Sequence, residues 1–97
     1  MQFLTMSHRR TEGFTDADFA ARVDDEARQA RVLYAAGAIR QIWHRGDVPG
    51  ACIVWEAESE EHARRLLNTL PFAQAGMLEV SIIPLKPYAG FGPNSIR

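Results

Sequence analysis

The sequence predicts an α+β domain in which two helices cover one face of a four-stranded antiparallel sheet. Three observations carry that expectation: a long amphipathic stretch opened by a capping signal, two strand-like runs joined by a Gly/Pro loop, and a second, shorter amphipathic stretch before a final strand-like run. Taken in order, the elements read strand, helix, strand, strand, helix, strand.

Gln2 to Ser7 is short and strand-compatible, and the polar run His8 to Gly13 follows it as a loop. Thr15-Asp16-Ala17-Asp18 fits a capping box, and its two carboxylates suit the positive end of a helix dipole. Phe19, Val23, Ala27, Ala30, Leu33 and Tyr34 then recur at helical spacing, and Gly37 supplies the left-handed residue that ends such a helix. Ala38 to Arg45 and Ala51 to Ala57 form a hairpin across Gly46-Asp47-Val48-Pro49-Gly50. Ser59 caps the second helix, whose Ala63, Leu66, Leu67 and Leu70 face one way, and Pro71 marks its end. Met77 to Ile83 is the last strand. This order is the split βαβ, ferredoxin-like arrangement, placing the folded domain at residues 1–85 and a Pro/Gly-rich C-terminal arm at 86–97.

The chain has 97 residues, so a lone core buries a modest share of the unfolded surface. Its strands carry apolar residues of both parities: Leu4, Met6, Ile42, Val54, Leu78, Val80 and Ile82 against Phe3, Ile39, Trp43, Ile53, Trp55 and Ile83. Both sheet faces are therefore expected to be apolar. Helices cover one, and the other calls for a second copy of the chain in a homodimer or larger homo-oligomer, or for the arm folded back over it.

At 46% hydrophobic and 24% charged residues the composition is that of a globular domain. A formal net charge of -1, with both signs interspersed, offers no footprint for nucleic acid. No run reaches the roughly 20 apolar residues that span a bilayer. The single cysteine, Cys52, and an N-terminus without signal-peptide order lead to a cytoplasmic expectation.

Glu26 falls inside the edge of the first helix's apolar stripe, whereas the other charges there lie farther round. A carboxylate facing a sheet is desolvated, its pKa biased upward, and so suited to proton transfer. The plainer reading is a snorkelling or ion-paired glutamate at the stripe's margin. A hairpin symmetric about Val48 sets Arg40 opposite Glu56 and His44 opposite Cys52. Arg40 is then either a cross-strand ion pair or a donor fork for a substrate carboxylate or enolate. His44 beside Cys52 superficially resembles a base and nucleophile, without a third member. No His/Cys/Asp/Glu spacing, His8 and His62 included, resembles a metal site, and no metal is expected. Trp43 and Trp55 fit core or interface roles, and one of them a pocket wall.

The stretch Ala36-Gly37-Ala38-Ile39-Arg40-Gln41-Ile42-Trp43, preceded by Glu26, together with Leu66-Leu67-Asn68-Thr69-Leu70-Pro71 and Ile83-Pro84-Leu85, resembles the muconolactone Δ-isomerase family. The likeness spans Phe3 to Leu85, and Pro93-Asn94-Ser95-Ile96 is similar to the family's tail. The resemblance implies a dimeric α+β barrel and cofactor-free proton shifting on an unsaturated lactone, with Glu26, Arg40 and Trp43 on positions the isomerases also fill with Glu, Arg and Trp. It points to Glu26 and Arg40 as catalytic residues; Trp43, His44 and, on the arm, Tyr88 are the expected contacts for a small-molecule substrate. The loop 46–50 and the longer arm depart from the family and imply a changed substrate. The wider superfamily adds polyketide cyclases and cofactor-free monooxygenases, and a non-catalytic small-ligand or assembly module stands as the alternative of another class.

Overall fold

A computed structural model of the chain describes residues 1–91. Four strands, β1 (Gln2–Arg9), β2 (Ile39–His44), β3 (Ala51–Glu56) and β4 (Leu78–Leu85), form one antiparallel sheet in the order β2-β3-β1-β4. The helices are α1 (Asp16–Ala20), α2 (Val23–Ala35), α3 (Glu60–Leu67) and α4 (Pro71–Gln74). This is the ferredoxin-like α+β arrangement, with the first predicted helix divided in two, a short helix α4 added after the second, and the arm adding a 3-10 turn at Ala89–Phe91.

The predicted capping box forms: Thr15 Oγ1 accepts from the Asp18 amide at 3.2 Å, and Asp18 Oδ2 accepts from the Thr15 amide at 2.8 Å. The helix it starts ends at Ala20, however. Phe19 is buried in an edge-to-face cluster with Phe14 and Phe72, and the carboxylates of Asp24, Asp25 and Glu26 then favour a fresh N-terminus at Val23. Gly37, at φ 81°, closes α2, with Ala38 N–H donating to Leu33 carbonyl at 2.9 Å in the six-residue loop-back that satisfies a terminal carbonyl.

Pro71 opens α4 rather than ending the helix before it. Proline is well placed at a first helical position, where its missing N–H has no partner to lose, and α3 has already stopped at Leu67. β1 runs on to Arg9, two residues beyond the expected end, because Ser7, His8 and Arg9 pair with Val80, Glu79 and Leu78. β4 extends through Pro84 to Leu85, an edge-strand position where a proline removes no needed donor.

Between the sheet and the helices lies a core of Phe3, Ile39, Trp55, Leu33, Ala63, Leu67 and Leu70. Trp55 is fully buried, and its indole N–H donates to Thr5 Oγ1 at 2.9 Å, so the deepest polar groups satisfy each other. The register sets the opposite face. Leu4 lies across from Val54 and Ile83, and Met6 from Cys52, so these side chains share an apolar surface that no helix covers. Trp43 and Ile83 there are 63% and 44% exposed.

One irregularity corrects the expected parity. Between Ile39 and Gln41 the β2–β3 ladder shifts, so Ile39 and Ile42 both face the helices while Arg40 sits in the bulge.

Candidate active site

α2 meets the sheet closely only at its C-terminal end, where Leu33 is buried; toward its N-terminus the same stripe lifts away, leaving Val23 and Ala27 exposed. The gap is a cavity of about 410 Å³. Its helix wall is Val23, Glu26, Ala27, Ala30 and Arg31; its floor is Ser7, Arg9, Ala51, Ile53 and Leu78; Ile42 and His44 stand at one side, Leu70 and Phe72 at the other. The lining is mostly apolar with a few converging polar groups, the usual character of a small-molecule site.

Glu26 is half-buried in that wall. Phe72 N–H donates to its Oε1 at 2.9 Å. The amide is one of the unpartnered donors at the start of α4, a helix that has no side-chain cap of its own, so Glu26 caps it from another helix. Burial pushes the Glu26 carboxyl above its ordinary value, and the Phe72 amide opposes that rise without cancelling it.

Of the other sequence-predicted residues, His44 reaches the cavity and Trp43 borders it at the free edge of β2. Arg40 and Tyr88 do not line it. Arg40 is exposed beside Glu56, whose carboxylate is held below its usual range first by the Met1 amino group at 2.7 Å and only lastly by Arg40. The expected Arg40–Glu56 ion pair therefore gives way to a pair between Glu56 and the N-terminus. Tyr88 is 71% exposed and stacks edge-to-face on Phe91 with centroids 4.9 Å apart. The similarity at Pro93-Asn94-Ser95-Ile96 lies outside the described residues.

The expected pairing of His44 with Cys52 does not occur. Arg45 N–H donates to Gly50 carbonyl at 2.9 Å, so the turn closes one residue earlier than a hairpin centred on Val48, His44 faces Ala51 and Cys52 faces Trp43. A one-residue slip moves every side chain to the other face. Among the described residues no group of three or more His, Cys, Asp or Glu could hold a metal ion.

Two charged residues in the cavity wall were not among the sequence candidates. The sequence expectation ends β1 at Ser7 and leaves Arg9 in the loop after it, although the alternation Phe3, Thr5, Ser7, Arg9 carries the signal that it faces the helices. Arg31 lies on α2 five residues beyond Glu26 and is exposed.

Sheet order, split connectivity and a carboxylate at an apolar cavity define a ferredoxin-like α+β protein with a cavity between helix and sheet. The chain belongs to the muconolactone delta-isomerase family, whose pattern matches residues 1–90. Among solved structures it is similar to a muconolactone isomerase, with 19% identity over 92% of each chain and a TM-score of 0.76. It is also similar to 5-chloro-2-hydroxyhydroquinone dehydrochlorinase from Burkholderia phenoliruptrix AC1100 in complex with 2,5-dihydroxybenzoquinone, at 21% identity, 89% of this chain, 94% of that one and a TM-score of 0.65. A third, protein Atu4242 from Agrobacterium tumefaciens, is 15% identical over 96% and 98%, with a TM-score of 0.52. No curated protein matches by sequence. At these identities the solved structures carry the fold alone, and the family match supports a small-molecule isomerase-like enzyme. No helix among the described residues is long and apolar enough to cross a membrane.

Proposed function

We propose that the chain is a cofactor-independent isomerase that shifts a double bond in an unsaturated lactone or related carbonyl compound, with Glu26 as the proton carrier. The observation that carries this reading is a half-buried carboxylate in an apolar cavity, one oxygen fixed by the Phe72 amide and its pKa raised by burial. Such a group is basic enough to take a proton from carbon and acidic enough to give it back.

The step balances without a co-reactant. The free oxygen of Glu26 removes the proton α or γ to the carbonyl, the C–H electrons move into a dienolate with charge on the carbonyl oxygen, and the same carboxyl returns the proton at the other end of the conjugated system. Position and a tuned pKa are sufficient. His44 and Trp43 act at the β2 side as contacts for the substrate body. In a single chain Arg40 and Tyr88 stand away from the cavity, so they enter the site only where a second copy brings them to it.

The uncovered face, with Leu4, Met6, Val54, Trp43 and Ile83, is the surface we assign to that second copy. A homodimer formed there buries a patch that would otherwise meet water.

Turnover of muconolactone, followed by NMR in deuterated water, tests the assignment. Glu26→Gln is expected to lower kcat by roughly 10²- to 10⁴-fold, the typical worth of a positioned acid-base group, with an unchanged circular dichroism spectrum. Full activity in that variant would sink the mechanism. Proton removal followed by loss of a leaving group is the related chemistry for which the Burkholderia neighbour is named, and chloride release from a chlorinated hydroquinone separates the two.

A further inference from the structure

Arg9 ends the inward-facing row of β1 and enters the cavity wall half-buried. Its guanidinium carbon lies 4.4 Å from the centroid of Phe19 and 5.9 Å from that of Phe72. Among the described residues it makes no ion pair: Arg10 takes Glu79, Arg45 takes Asp47, and Glu26, on the same cavity, is not paired with it. Asp16, His8 and Arg45 share with Arg9 a second hollow on its other side, and Asp16 is likewise not paired with it.

The geometry leaves one part of this cation free. The rings offer its N–H groups no carbonyl or carboxylate acceptor, and the Arg9 side chain makes no hydrogen bond among the described residues. A guanidinium's planar fork receives a carboxylate through two parallel hydrogen bonds. Two phenylalanines hold the fork in place, so a ligand meets a cation already oriented and partly desolvated. Arg31, by contrast, is exposed and rests on no aromatic ring among the described contacts.

We propose that Arg9 is the specificity-determining residue of this cavity, binding a carboxylate on the substrate and so fixing the distance from that group to the carbon presented to Glu26. This rests on the reading of the cavity as the isomerase site, and its test separates the two.

The probes are a carboxylated butenolide and its methyl ester, with affinity measured calorimetrically and turnover by NMR. The parent chain is expected to prefer the acid over the ester by tenfold or more. Arg9→Met, which keeps an apolar chain against Phe19, is expected to weaken binding of the acid roughly tenfold to a hundredfold and leave the ester within about twofold, abolishing the preference. Arg9→Lys, charged but without the fork, falls between, and guards against a Met variant that misfolds. Arg31→Met leaves the ratio unchanged. An acid-to-ester ratio that survives both Arg9 substitutions, or that is lost with Arg31→Met instead, overturns the proposal. If Arg9→Met removes the preference while Glu26→Gln still turns over, Arg9 stands and the isomerase mechanism fails. A parent chain that binds neither probe overturns both.

Discussion

Glu26 does two things that pull in opposite directions. As the remote cap of α4 it contributes a hydrogen bond to the Phe72 amide, and as a desolvated charge it opposes folding at neutral pH. Because its pKa is raised in the folded chain, the native state holds that proton more tightly than the unfolded one. Its favourable contribution is therefore full below the ordinary value of 4.5 and is lost as pH rises through the raised folded value. Glu26→Gln keeps an oxygen for the amide and removes the charge, so its denaturation midpoint should match the parent's at pH 4 and exceed it at pH 8, by no more than about 4 °C. The parent's kcat/KM should rise with pH through the same raised value, and the variant's residual rate should not. Deeper in the core, Thr5→Val leaves the Trp55 indole N–H without an acceptor; urea unfolding should register a loss of about 1–3 kcal/mol.

At the scale of elements, the join between β1 and the β2–β3 hairpin decides the cavity floor. Ser7 Oγ accepts from the Ala51 amide at 3.1 Å, and Arg9 N–H donates to the Pro49 carbonyl at 3.0 Å, so the loop is drawn against the end of β1. Gly50 permits that approach. A Cβ on it would overlap the Ser7 carbonyl oxygen and come within 2.8 Å of its carbon, both backbone atoms that cannot turn aside. Gly50→Ala should cost about 1–3 kcal/mol or more by chemical denaturation, and displace His44 and Ala51 enough to weaken ligand binding. The loop itself is clamped by Arg45, whose Nε and terminal nitrogen meet Asp47 at 3.0 and 2.7 Å, and that bidentate contact holds the Asp47 pKa down to about 2. An NMR titration of Asp47 is expected to show it ionised well below the usual aspartate range.

For the whole molecule, the uncovered sheet face is the feature with the widest consequence. Leu4, Met6, Cys52 and Val54 are half-exposed in the middle strands, in a chain of 97 residues whose other apolar face already packs against the helices. In a symmetric pair each substitution acts twice. Val54→Glu should raise the dimer dissociation constant at least tenfold in sedimentation equilibrium, with secondary structure unchanged. A parent chain that sediments as a monomer at every concentration contradicts the assigned interface.

The ferredoxin-like fold was legible from one sequence because its signals are local: the Thr15 capping box, the Gly37 helix stop and the Gly/Pro loop act through neighbouring residues. The position of Glu26 on an inward stripe was legible for the same reason, since helical periodicity fixes direction. The division of the first helix, the added helix α4, the bulge at Arg40 and the turn that sets His44 against Ala51 were not, because they depend on which residues meet across the fold. A shift of one position in a ladder exchanges the two faces of a strand, and no local pattern records it. The same limit hid the bulge at Arg40, whereas Arg9 continues the readable alternation of Phe3, Thr5 and Ser7 and lies beyond the expected end of β1. By itself the sequence determined the four strands, the two helical connections between them and that a carboxylate turns inward. Only the tertiary structure decided which cation stands at the cavity with it, because that choice follows from strand register and from the two rings that hold the guanidinium.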